Sequence, residues 1–464
     1  MLKLNVVILA AGAGKRMHSS LPKILHTLAG QSLLTHVINT ARKLSPNKIC
    51  VVIGHDGEKI KKSVIGDDLT WIIQEQQLGT GHALMQALSQ LNDDGLTLIL
   101  YGDVPLVSVQ ELRQLLIAVE EKSCATLSTV VENPFGYGRI VRDINTKAIT
   151  AIVEQKDAST EQESIHEINT GIMLIPNVYL HKWLPKIKNN NTQHEYYLTD
   201  IIAMAVKDGV HVASVQVKNF WEVMGVNNKY QLAELERLFQ RHCANELLNA
   251  GVSLIDPARI DIRGELICGS DVEIDINCIF EGTVKLGNFV RVGAHCILRN
   301  VTVAAGSIIH PYSMIEGAEI SENCKIGPYA RIRPGTRLAS KVQIGNFVEV
   351  KNSQIGVESK ANHLSYIGDS CLGKNVNIGA GTITCNYDGA NKHTTIVEDD
   401  VFIGSDTQLV APVKISRGST IGAGSTITKE TPENQLTLSR SRQISISGWK
   451  RPPKIKNRMV FSII

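Results

Sequence analysis

No apolar run in the sequence approaches the roughly 20 residues a membrane-crossing helix needs, which argues against a helical anchor. Charge of one sign is missing too: 48 basic against 45 acidic side chains leave a formal +3, too little for general nucleic-acid binding. No cleavable leader precedes the strand-like LKLNVVIL that follows Met1, so a cytoplasmic protein is expected. The nine cysteines contain no C-x-x-C pair. Four of them, Cys278, Cys296, Cys324 and Cys371, fall four places after Ile274, Val292, Ile320 and Ile367. That is the small inward slot of a six-residue pattern, so buried core thiols are expected, not ligands or disulfides. Two nucleotide-binding spacings are also absent. No G-x-x-x-x-G-K-[ST] occurs, and Gly12-Ala13-Gly14 lacks the third glycine of a dinucleotide fingerprint.

What is present, from about Ile274 to Ile427, is an aliphatic residue at every sixth position. Ile326, Ile332, Leu338, Ile344 and Val350 form one series; Val397, Ile403, Leu409, Ile415, Ile421 and Ile427 form another. Small or β-branched residues follow four places later, as Ala330, Thr336, Val342, Val348, Thr407, Val413, Ser419 and Ser425 do. A period of six is neither that of a strand nor that of a helix. It predicts a parallel β-helix of hexapeptide repeats, a three-sided prism whose coils bury their aliphatic residues against one another. Glycines directly after the aliphatic residues, such as Gly345, Gly379 and Gly404, suit tight corners. The regularity breaks twice, between Val350 and Ile367 and between Ile383 and Val397, and the second break reads as an ejected loop carrying Asn386 and Tyr387.

At 464 residues, two or three domains are expected. The amino-terminal half alternates strands (4–9, 48–54, 69–74, 96–103) with helical stretches (33–44, 82–91), predicting a parallel sheet with helices on both faces. Leu4 to Leu9 lead into Ala10-Ala11-Gly12-Ala13-Gly14-Lys15-Arg16-Met17, with Leu21-Pro22-Lys23 beyond. Such a turn is either a phosphate cradle or a strand-to-helix connection with solvated cations. Asp103, at the carboxyl edge of its strand, either caps the next helix or holds a hard cation. Asn227 to Ala250 reads as a helix, with Leu232, Leu235, Leu238, Phe239 and Leu247 recurring at helical steps and Gly251 as its stop; a rigid spacer is expected.

The motifs L-A-A-G-x-G-x-R-M, L-P-K, Q-x-Q-x-L-G-T-G-H-A, Y-G-D-x-P-L, G-Y-G-R-I, V-E-Q-K-D-A, E-I-N-T-G-I and W-E-V-M-G-V-N-N resemble the sugar-nucleotide pyrophosphorylases. With the hexapeptide region attached, the chain resembles the family of bifunctional N-acetylglucosamine-1-phosphate uridylyltransferase/glucosamine-1-phosphate N-acetyltransferases. The resemblance implies an α/β Rossmann-like nucleotidyltransferase domain (1–226), a linker helix (227–250), a left-handed parallel β-helix acetyltransferase domain (251–437) and a carboxyl-terminal arm (438–464). It implies that Leu9, Ala10, Ala11, Gly12, Arg16 and Lys23 hold nucleotide phosphates. Gln74, Gly79 and Thr80 would read uracil, and Tyr101 and Gly102 would lie beside the ribose. Gly138, Glu154 and Asn169 would bind the N-acetylglucosamine moiety, and Asp103 and Asn227 would share a Mg²⁺ ion. Lys15 departs from the pattern, standing where the family usually has Thr or Ser.

In the second half the resemblance implies that Arg333, Lys351, Tyr366 and Asn377 grip glucosamine 1-phosphate. His363 would be the general base; by residue type alone it reads as a surface histidine. Ala380, Asn386, Tyr387, Ser405, Ala423 and Arg440 would line the acetyl-CoA site. A homotrimer through the β-helix, with sites between subunits, is implied as well, and UTP and acetyl-CoA are the implied co-substrates. The product, UDP-N-acetylglucosamine, would feed peptidoglycan and lipopolysaccharide precursor synthesis. Glu398 replaces a usual corner glycine, and the apolar tail Met459 to Ile464 carries no assigned role. A pyrophosphorylase for another sugar or nucleotide, with the β-helix serving only for oligomerisation, is the enzyme alternative; His363, Asn377, Asn386 and Tyr387 speak against it. A non-enzymatic scaffold is the other, and Lys23, Asp103 and Asn227 speak against that.

Overall fold

The computed structural model describes residues 3–54, 56–120 and 123–454. The chain divides into two compact units, 1–285 and 286–464.

The first unit is built on strands β1 (Lys3–Ala10), β2 (Lys48–Ile53), β3 (Leu69–Ile73), β4 (Gly95–Tyr101), β5 (Ser123–Val130), β6 (Arg139–Arg142), β7 (Ile149–Val153), β8 (Glu167–Pro176) and β9 (His211–Gln216). The main sheet runs β9-β5-β8-β4-β1-β2-β3, with the β6–β7 hairpin attached to β8. Alternate residues of β1 enter opposite cores: Val6, Ile8 and Ala10 one, Val7 and Leu9 the other. Burial on both faces explains its unbroken apolar run. The expected all-parallel sheet is corrected in one respect. β1 to β4 are parallel, but β8 runs antiparallel to both β4 and β5. After β5 the chain returns through the β6–β7 hairpin instead of a helical crossover, so its direction reverses.

Helix α1 (Leu33–Arg42) starts at Ser32, whose hydroxyl accepts from the Thr35 amide. Ser108 likewise caps α2 (Val109–Ala118), so the capping role open to Asp103 is already taken. The predicted spacer is α3 (Lys229–Asn249), capped by Asn228 and ended by Gly251 at φ +90°. Leu235 is fully buried with Leu28, Ala29, Leu33 and Val226. Gln240 clamps the backbone of Ile262, donating to its carbonyl at 2.8 Å and accepting from its amide at 2.7 Å.

The second unit is the expected parallel β-helix. Ile326 pairs with Ile344 and Ile332 with Val350, one coil apart, and all the six-step aliphatic residues are buried. The first sequence break proves to be no break. Ile344 pairs with Ala361 and Val350 with Ile367, so the coil is merely one residue short, with Ile355 taking the intermediate inward place. The next coil is one residue short as well, Ala361 pairing with Ile378, and this corrects one cysteine. Cys278, Cys296 and Cys324 are buried, but Ser370 and Leu372 fill the inward slots of their strand and Cys371 is exposed. The second break is a true loop, closed by an antiparallel bridge between Tyr387 and Lys392. Glu398 leaves its turn intact: Val397 still pairs with Ile415, and Glu398 binds Lys414 at 3.0 Å.

The glycines play a different part from the one expected. Gly345, Gly379 and Gly404 have ordinary φ, but coils approach so closely that a Cβ on Gly379 would lie 2.6 Å from the Gly404 carbonyl carbon. The left-handed corners are held mostly by other residues, including His295, Tyr312, Tyr329, Phe347 and Leu364. The first four of these stack ring on ring, with centroids 4.9, 5.0 and 5.3 Å apart. The apolar tail beyond Lys454 lies outside the described residues.

Candidate functional site

In the first unit a cavity of about 360 Å³ opens at the carboxyl ends of β1 and β4. Its walls include Leu9, Ala10, Ala11, Gly12, Lys23, Gln74, Gly79, Thr80, Tyr101 and Asp103, all singled out from the sequence. The Lys23 ammonium sits between two oxygens, ion-paired with the Asp103 carboxylate and 3.4 Å from the Asn227 carboxamide oxygen. Arg16 donates to that same Asn227 oxygen at 3.0 Å. Strand β4 delivers Asp103, and the Val226 amide bonds the Asp103 carbonyl at 2.8 Å, which fixes Asn227 beside it. Gly102 packs on Ala10, its amide bonded to the Leu9 carbonyl at 2.9 Å.

The residues expected to hold the sugar, Gly138, Glu154 and Asn169, come together in the same unit. The Asn169 amide bonds the Gly138 carbonyl at 2.8 Å, and Glu154 lies over Gly138 while accepting from Thr199 at 3.0 Å. Burial, together with the carboxylates Asp200, Asp157 and Glu195, holds the Glu154 carboxyl above its usual range against the Thr199 bond. Burial, then the charges of Glu154 and Asp103, likewise pushes up the Tyr101 phenol. Gln74 is buried at 3% exposure, with its amide nitrogen 2.9 Å from His82 Nδ1 and 3.3 Å from the Gly79 carbonyl.

In the second unit the coil geometry sorts the candidates onto two edges of one face. Asn346 pairs with His363 across the strands; further along that edge the Ala380 carbonyl accepts from Asp406, the Ser405 carbonyl from Gly424 and the Ala423 carbonyl from the Arg440 side chain. The predicted acetyl-CoA residues Ala380, Ser405, Ala423 and Arg440 thus continue the His363 edge coil by coil. On the other edge the Asp369 carboxylate gathers Lys351 at 3.3 Å, Asn352 at 2.7 Å and the Asn386 amide. Burial alone would raise Asp369, yet these donors hold it below the usual carboxylate range. Arg333 binds Glu349 at 2.8 Å, and Glu349 pairs with Tyr366 on the intervening face. Asn377 lies on a neighbouring strand beside Lys360 and Phe402, and Tyr387 is 60% exposed at the loop tip.

Three participants were not singled out from the sequence. Gln77, whose amide nitrogen bonds the Ala11 carbonyl, braces the glycine-rich turn. Asn346 Oδ1 lies 2.9 Å from His363 Nδ1. An amide oxygen can only accept, so Nδ1 carries the proton and Nε2 presents a lone pair. Lys392 comes from the ejected loop to join Lys351 and Arg333, and contact with the Lys351 amine, then its charge, pushes the Lys392 ammonium down. The coil spacing equates residues 346 and 363 only once the one-residue shortening is known, and no local signal brings the loop lysine back.

Comparison with known proteins decides the family. Residues 6–193 match the MobA-like NTP transferase domain, 262–355 the GMPPB C-terminal domain and 394–429 the bacterial transferase hexapeptide of six repeats. The chain is 63% identical over 460 residues to the bifunctional protein GlmU of Nitrosospira multiformis, covering 98% of this chain and 100% of that one. The GlmU proteins of Nitrosomonas europaea and Herminiimonas arsenicoxydans are 61% and 59% identical, with the same coverage. The chain belongs to the bifunctional GlmU family. As in that family, one chain carries an NTP transferase domain and a hexapeptide transferase domain, and the two clusters described above lie in different units. Among the described residues, no helix is long and apolar enough to cross a membrane.

Proposed function

We propose that the second unit acetylates glucosamine 1-phosphate with acetyl-CoA and that the first transfers UMP from UTP to the resulting N-acetylglucosamine 1-phosphate. The products are UDP-N-acetylglucosamine and pyrophosphate. The observation that carries the reading is the pairing, in one chain, of a Lys23–Asp103–Asn227 cluster at a nucleotide-sized cavity with an exposed imidazole whose Nδ1 is held by Asn346. The domains are read as 1–226, the helix 227–250, 251–437 and the arm 438–464. The protein is read as cytoplasmic, and as a homotrimer through the β-helix because one narrow face cannot enclose a long coenzyme.

In uridylyl transfer two anions must meet. Asp103 and Asn227 would supply a carboxylate and a carboxamide oxygen, hard donors that suit Mg²⁺. The Lys23 ammonium, lying between these same oxygens, is a stand-in cation that supports the fit. When bound, the metal would offset phosphate charge. Arg16 and Lys23 hold the polyphosphate in line, Gln74 and the Gly79–Thr80 backbone hold the base, and Glu154 with Asn169 orients the sugar. In acetyl transfer, His363 Nε2 takes the proton from the substrate ammonium, and the freed amine attacks the thioester carbonyl carbon. The tetrahedral intermediate then collapses with cleavage of the carbon–sulfur bond, and the departing coenzyme A sulfur takes the second nitrogen proton to leave as the thiol. Arg333, Lys351 and Lys392 hold the sugar phosphate.

The test supplies glucosamine 1-phosphate, acetyl-CoA, UTP and Mg²⁺ together and follows products by mass. UDP-N-acetylglucosamine is expected; free nucleotide with unacetylated sugar would remove the reading. Sedimentation showing a fully active monomer would remove the trimer.

A further inference from the structure

A second cavity, of about 300 Å³, lies across the glycine-rich turn from the first. Both share the backbone of Ala10 to Ala13 and the side chains of Lys23 and Gln77, so they meet along the turn. They differ in what else lines them: Tyr101, Asp103 and Gln74 face the first, whereas Lys15, Pro22 and Asp56 face the second.

The three cations of this region are not equivalent. Lys23 is paired with Asp103 and Arg16 with Asn227. Lys15 is exposed and has no ion pair or hydrogen bond to its side chain among the described residues. Asp56, the acid facing the same cavity, already has Lys59 at 3.7 Å. Gly14, at φ +60°, sets the approach: a Cβ there would come within 2.7 Å of the Lys23 Cβ, so only glycine lets the turn lie against Lys23. Lys15 follows directly. An uncommitted ammonium therefore stands beside a phosphate-sized space that opens off the nucleotide cavity.

We propose that Lys15 binds the leaving pyrophosphate of uridylyl transfer, the β- and γ-phosphates of UTP running over Gly12 and Ala13 into the second cavity. The inference rests on the uridylyltransferase reading above. An oxygen of the sugar phosphate forms its bond to the α-phosphorus as the bond from that phosphorus to the α,β-bridging oxygen breaks. The bridging oxygen keeps the electron pair and departs as a terminal oxygen of pyrophosphate, without a proton transfer. The Lys15 ammonium offsets the charge that accumulates there. In the reverse direction the same contact binds pyrophosphate.

The experiment compares wild type, Lys15→Thr and Lys15→Arg in the reverse reaction, with UDP-N-acetylglucosamine and pyrophosphate as substrates. A contact between an exposed cation and a phosphate predicts a roughly ten-fold rise in KM for pyrophosphate in Lys15→Thr. The KM for UDP-N-acetylglucosamine should hold, and Lys15→Arg should stay near wild type. Acetyl transfer by the same preparations reports intact folding. An unchanged pyrophosphate KM in Lys15→Thr, or an equal rise in both KM values, would overturn the inference. Wild-type protein that makes no UTP from these substrates would instead overturn the parent reading.

Discussion

Replacing Asn346 isolates the part of acetyl transfer that depends on geometry alone. The Asn346 oxygen is 2.9 Å from His363 Nδ1 on an exposed edge, and its role in the proposed mechanism is to keep the proton on Nδ1 and the lone pair on Nε2. A neutral hydrogen bond of this kind is worth about 1 kcal/mol net. Asn346→Ala should therefore lower kcat for acetyl transfer about five-fold, with KM for glucosamine 1-phosphate little changed. His363→Ala removes the base itself and should cost roughly 10²- to 10⁴-fold. Asn346→Asp keeps an oxygen acceptor in place and should retain more of the rate than Asn346→Ala. Initial rates of coenzyme A release measure all three variants. The reasoning fails if Asn346→Ala leaves kcat untouched, or if Asn346→Asp loses as much rate as Asn346→Ala.

Asp103→Ala should reduce uridylyl transfer by about 10²-fold or more while acetylation persists, and EDTA should affect only the uridylyl step; coupled assays for both products decide it. Burial and neighbouring carboxylates hold the Glu154 carboxyl high, so as pH falls it should protonate ahead of ordinary carboxylates and raise KM for N-acetylglucosamine 1-phosphate. A raised folded-state value contributes stability at low pH that is lost as pH rises through it. Glu154→Gln should thus abolish that acid limb and raise Tm at neutral pH, both measurable on the substrate-free protein and in steady-state assays. Leu235 is fully buried against Leu28, Leu33 and Val226. Leu235→Ala should cost about 2–5 kcal/mol in denaturant unfolding of the first unit. For the same reason a fragment ending at 250 should melt well above one ending at 227.

The sequence alone determined whatever is periodic or contiguous. The six-residue repeat specified a stacked parallel β-helix because each coil can bury its aliphatic residues only on its neighbours. The run from Leu4 to Leu9 specified a strand buried on both faces, and Asn228, Leu235 and Gly251 specified the start, packing face and end of α3. Tertiary structure decided what depends on closure of the chain over distance. Two successive coils one residue short set Asn346 beside His363 and moved Cys371 to the surface; β8 reversed direction because a hairpin, not a crossover helix, precedes it. Lys23 lies 80 positions from Asp103 and 204 from Asn227, and no local pattern encodes that meeting. The loop that returns Lys392 to Lys351 is fixed by one bridge and a few turn bonds, which the spacing of the repeat does not record.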